Sequence, residues 1–178
     1  MSTFYKIIFK YAFLYAISLM IFDVVVFITN PGQDYLQTAN KWGMFEHLLI
    51  GSITIVLTMK ELTKLRESSY GLTIKTGTLI GIFGGFLFGI YAVFKRIYLI
   101  EFDYDAHDDY IRQIIDDMRG DLDLEEEEFI NLKQMAIYLG RLFITPAMIF
   151  VINILNNTIG CFFLSLFAGI FYVKKNNP

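Results

Sequence analysis

One cysteine, two histidines and three prolines are all that the 178 residues hold of those types. A lone cysteine, Cys161, excludes a disulfide framework or a cysteine metal site within one chain. There is no Walker-type glycine loop, no H-E-x-x-H, no G-x-S-x-G and no CxxC. The short motifs that handle phosphate, zinc, acyl groups or redox chemistry are therefore missing. His107 stands among acids, where solvent exposure is expected. Neither cofactor nor metal is implied, and a non-enzymatic role is expected.

Hydrophobic residues make up 55% of the chain and aromatics 17%. A soluble domain of this size cannot bury that much apolar surface around one core. Four apolar runs, at 8–29, 43–59, 72–94 and 146–173, approach or exceed the roughly 17–25 residues that cross a bilayer as helix. The expected fold is all-α, an integral membrane four-helix bundle forming a single polytopic domain over 1–178. The first run is too long for a cleaved signal peptide, carries Asp23 and lacks an A-x-A-like site, so it reads as a retained helix. Its thirteen Leu, Ile, Phe and Val residues outweigh that one aspartate. The second run is the least apolar, with Glu46 and His47 in its first turn, and inserts only if neighbours shield them. The fourth opens on Thr145-Pro146, an N-cap followed by proline at the first helical position. It reads as one long helix. The sequon Asn156-Asn157-Thr158 falls inside that span and is discounted.

The net charge of −3 conceals segregation. Lys6 and Lys10, then Lys60, Lys64, Arg66 and Lys75, then Lys174 and Lys175 place base at three points that should face the cytoplasm. The short loop at 30–42, with only Lys41, and the segment 95–142 fall on the other side. That segment carries thirteen acids against six bases. Both termini are expected inside, in the cytoplasmic membrane of a bacterium, as a multi-pass protein. Within the acidic segment, 105–119 reads as an amphipathic helix capped by Asp105, with Tyr110, Ile111, Ile114, Ile115 and Met118 on one face and Gly120 after it. A second helix fits 124–142, with Glu125 to Glu128 in its first turn, where the helix dipole favours acids. Its stripe is Phe129, Leu132, Met135, Ala136, Leu139 and Leu142. An acidic helical cap outside the membrane follows, and its charge disfavours nucleic acid. Asp103, Asp105 and Asp109 alternate, but the glycine and terminal glutamate of a calcium loop are absent at the required spacing.

Gly77, Gly81, Gly85 and Gly89 recur every four residues through the third run, with Gly84 beside them. They form a groove free of side chains, along which another helix approaches closely. That helix belongs to the same chain, to a second copy or to another membrane protein. His47, Gly51, Thr54 and Thr58 share one stripe of the second run. Asn153, Asn156 and Asn157 are assigned to one face of the fourth, with Gly160 a turn further on. Together with Asp23, Glu46, Lys95 and Arg96, these residues are expected to cluster toward the outer leaflet. Two readings stand side by side. Ionisable groups within a membrane suggest an ion or solute site. The same groups also serve as hydrogen-bonding glue between helices. A broken helix and an inverted repeat, which mark a transporter fold, are missing.

Three stretches resemble a family of small bacterial four-helix membrane proteins known as domain of unknown function 4199. The first is Met59-Lys60-Glu61 through Arg66 and Gly71, a basic linker into a glycine-rich helix. The second is Phe94-Lys95-Arg96-Ile97-Tyr98, followed by an acidic amphipathic segment. The third is Thr145-Pro146 with Ile159-Gly160, Ser165-Leu166 and the Lys174-Lys175 tail. The resemblance implies four spans and supplies no activity or site residues. The expected function is an accessory or scaffold subunit in contact with membrane lipids and with another membrane protein or a second copy. The alternative is a small transporter or channel lined by Asp23, Glu46 and the asparagines.

Overall fold

The computed structural model describes residues 2–29, 33–65, 69–98, 104–119 and 125–174. Arg66, Glu101, Asp103, Gly120 and Lys175 lie outside the described residues, as do the side chains of Lys41, Asp105, His107, Tyr110 and Lys174. The order is α1 (Thr3–Thr29), α2 (Gln33–Thr63), α3 (Tyr70–Tyr98), α4 (Tyr104–Asp117), α5 (Glu126–Phe143) and α6 (Pro146–Lys174). No strand occurs among the described residues. Three helices, α1, α3 and α6, are long and apolar enough to cross a membrane. At 1.5 Å per residue, the 29 residues of α6 rise about 44 Å without a break, which rules out a hairpin within it.

The expected loop at 30–42 is largely helical. Residues 33–42 are helical and belong to α2, where the sequence suggested a loop ending at 42. From Gln33 to Thr63 there is no proline, and the backbone passes through Gly43 and Gly51, because isolated glycines weaken a helix without ending it. Asp105 likewise lies inside the first turn of α4, not ahead of it.

The chain divides into two compact units, Met1–Tyr91 with Val151–Pro178, and Ala92–Phe150. In the first unit, one stripe of α1 is buried: Ile8, Ala12, Tyr15 and Leu19, spaced three or four apart. It meets Ile55, Met59 and Leu62 of α2, Ile80 and Phe88 of α3, and Cys161 of α6. The opposite faces are just as apolar. Phe13, Ile21 and Ile28 of α1 and Phe163, Phe167 and Phe171 of α6 are exposed. A helix apolar on every side is at home in lipid or deep in a large core. Ser69 caps α3, its Oγ accepting the Leu72 N–H at 3.1 Å.

The second unit holds α4 and α5. Acids in the first turn of α5 and Arg141 in its last turn complement the dipole. Arg119 pairs with Glu126, and its guanidinium stacks 4.8 Å from the ring centroid of buried Phe129. Lys133 donates to both oxygens of Asp116, at 2.7 and 2.6 Å. Asp108 is only 4% exposed and accepts Arg141 Nε–H at 3.0 Å. Glu126, Asp116 and Asp108 are thus matched by base within the unit. The apolar stripe is covered only in part, since Met135, Leu139 and Leu142 remain exposed.

Removing Arg141 would take the guanidinium away from a buried carboxylate. Arg141→Ala should cost about 1.5–3 kcal/mol, the usual range for hydrogen bonds to a charged group. Amides of α4 should then exchange faster with solvent. Arg112→Ala, which removes an exposed pair with Asp109, should leave that exchange nearly unchanged. Equal effects from the two substitutions would show that Asp108 does not anchor α4.

Candidate functional site

Hydrogen bonds within the first unit converge on α1. Tyr15 is 1% exposed, and its hydroxyl donates to Asn157 Oδ1 of α6 at 2.6 Å. His47 Nδ1 of α2 lies 3.4 Å from the same hydroxyl, and the direction of that bond depends on the imidazole tautomer. The His47 ring stands edge-on to Phe88 of α3, with centroids 5.9 Å apart. Asn157 Nδ2 donates to the Asn153 carbonyl at 2.7 Å, so both ends of this buried amide are engaged. Two turns along α1, Asp23 accepts the Tyr91 hydroxyl of α3 at 2.7 Å. Glu46 of α2 is only 7% exposed.

The inward stripe of α2 is as the sequence suggests. Gly51, Thr54 and Thr58 are buried, and His47 is half-buried. Thr54 and Thr58 turn their hydroxyls back onto the carbonyls of Ile50 and Thr54, at 2.8 and 2.7 Å. These bonds use the hydroxyl hydrogens within the helix itself.

The glycines of α3 define where α6 lies. A Cβ on Gly81 would stand 2.6 Å from the Asn157 carbonyl oxygen and 2.6 Å from Thr158 Cα. On Gly85 it would meet Asn157 Cβ at 2.9 Å, and on Gly77 it would collide with Ser165 and the Cys161 carbonyl. On Gly84 it would strike the Tyr15 ring of α1 at 2.5 Å. Gly89 is buried as well. The groove is thus filled by a helix of the same chain.

The residues expected to cluster divide between the two units. Asp23, Glu46, His47, Asn153 and Asn157 belong to the first unit. Asn156 is exposed and does not share the face of Asn157. Adjacent helical residues are about 100° apart, and of this pair only Asn157 turns inward. Lys95 and Arg96 occupy the last turn of α3 and fall in the second unit.

Sequence reasoning passed over Tyr15, Tyr91 and a further group near the start of α1. Lys10 Nζ and the Tyr11 hydroxyl both donate to Glu61 Oε2 of α2, at 2.8 and 2.7 Å. The Lys10 hydrogen bond first, and the Tyr11 hydroxyl second, hold the Glu61 carboxyl below the usual carboxylate range. Tyr11, Tyr15 and Asp23 are spaced four and eight residues apart in one apolar run, and that spacing was the available signal.

Chemically, this arrangement joins helices. Cys161 is buried, and no three Asp, Glu, His or Cys side chains gather as a metal site among the described residues. No family model matches the chain, and no curated protein or solved structure proves similar to it.

Proposed function

We propose that the protein is a four-span component of a bacterial cytoplasmic membrane, with both termini inside, acting as a non-enzymatic accessory or scaffold subunit. On this reading α1, α2, α3 and α6 cross the bilayer, and α4 with α5 forms an acidic cap on the outer side. The resemblance to domain of unknown function 4199 agrees with that span number and adds no activity. One observation carries the functional part: Tyr15, Asn157, Tyr91 and Asp23 are used in bonds between helices, at 2.6 and 2.7 Å. Groups engaged in this way hold a bundle together. Because α6 fills the glycine groove, a partner protein would dock elsewhere. The exposed Met135, Tyr138 and Leu139 of α5 offer such a surface.

The test combines purification and flux. The native protein, extracted in mild detergent, should carry a stoichiometric partner or a second copy. Asp23→Asn combined with Glu46→Gln should keep both that assembly and the fold. A solute flux in proteoliposomes that the double variant loses while staying folded would overturn the scaffold reading in favour of a transporter.

A further inference from the structure

We propose that a cleft between the start of α1 and the end of α2 binds the phosphate headgroup of an anionic phospholipid. The cleft measures about 360 Å³ and is lined by Thr3, Lys6, Ile7, Lys10, Glu61, Lys64 and Leu65. Three ammonium groups and one carboxylate give it a formal excess of two positive charges. Glu61 is already bound by Lys10 at 2.8 Å and by Tyr11 at 2.7 Å, so the excess falls to Lys6 and Lys64. Lys6 reaches the cleft from α1 and Lys64 from just past the end of α2, so two ammonium groups line it from two segments of the chain. Lysine binds phosphate as a point charge on a flexible stem and needs no fixed fork geometry.

Position and lining favour a lipid over a soluble anion. Lys6 and Lys10 flank the start of the apolar run of α1, and Lys64 follows the end of the apolar run of α2. Two membrane helices thus bring their basic ends to one level, where headgroups lie and where lysines reach out along aliphatic stems. Ile7 and Leu65 supply an apolar wall. A lipid uses both parts of this surface, with its phosphate at the lysines and its chains along the apolar wall. Free phosphate uses only the first.

The inference rests on the membrane-protein reading above, yet it fails separately. Wrong topology would show in side-specific labelling, whereas the lipid test compares headgroups on protein already held in detergent. Full-length protein in mild detergent would be titrated with phosphatidylglycerol, with phosphatidylcholine and with inorganic phosphate, and binding read by native mass spectrometry. Phosphatidylglycerol should bind in preference to the other two. Lys6→Gln with Lys64→Gln should weaken it by roughly thirtyfold, from the usual contribution of one lysine near an anionic lipid surface taken twice. Lys60→Gln with Lys75→Gln removes the same charge outside the cleft and should change binding less than threefold. Elution volume and far-ultraviolet dichroism check that both variants are folded. Equal binding of the two lipids, equal losses in the two variants, or phosphate binding as tight as the lipid would each overturn the proposal.

Discussion

Gly81→Ile should abolish the close approach of α3 and α6 and lower the melting temperature in detergent more than any other change proposed here. The obstruction is backbone: an added Cβ falls 2.6 Å from the Asn157 carbonyl oxygen and from Thr158 Cα. No rotamer change relieves it, so the helices must separate. Even Gly81→Ala should cost about 1–3 kcal/mol through overpacking. Isoleucine adds three more carbons to the same gap and should exceed that range. Gly160→Ala provides the opposite sign. Nothing lies within 4 Å of its Cβ position, and alanine should gain up to about 1 kcal/mol of helix propensity. Melting curves that move the same way for both alanine variants would show that α6 does not lie in the groove.

Removing the Tyr15 side chain should have the next largest effect. Tyr15 is among the largest fully buried side chains and touches residues of three other helices. Tyr15→Ala removes a buried ring and should cost about 3–5 kcal/mol, as aromatic-to-alanine changes in packed interiors do. Tyr15→Phe keeps the ring and loses only the hydroxyl. Hydrogen bonds between membrane helices average about 0.6 kcal/mol and reach about 1.7, so its cost should be smaller. Packing thus outweighs hydrogen bonding at this residue. A double-mutant cycle of Tyr15→Phe with Asn157→Ala should be non-additive by about 1 kcal/mol, within the range for contacting residues. Strict additivity would mean that the 2.6 Å contact contributes nothing specific.

Helix identity was legible in the sequence where apolar length and breakers agree. The runs at 8–29, 72–94 and 146–173 lie within α1, α3 and α6, and the amphipathic stretches at 105–119 and 124–142 overlap α4 and α5. The start of α2 was not legible, because residues 33–42 are polar and a polar helix carries no apolar signal. The inward stripe of His47, Gly51, Thr54 and Thr58 was visible, since spacings of three and four identify a single face. For the asparagines that rule was too coarse: spacing alone groups 153, 156 and 157, but Asn157 is buried and Asn156 is exposed. The tyrosines were hidden differently. Tyr15 and Tyr91 count as apolar in a hydropathy reading, and their hydroxyls gain meaning only once the helices carrying Asn157 and Asp23 are known to adjoin them. Such pairings, 142 and 68 residues apart in the chain, are properties of packing.

Whether α2 crosses the membrane with α1, α3 and α6 decides the whole account, and side-specific labelling answers it. With Cys161 replaced by alanine, single cysteines at Ser2, Ser69 and Glu127 would be exposed to a membrane-impermeant maleimide in spheroplasts. The account predicts that Glu127→Cys reacts at once and that Ser2→Cys and Ser69→Cys react only after permeabilisation. Labelling that places positions 2 and 69 on opposite sides would contradict it, because α1 and α2 could not then both be spans.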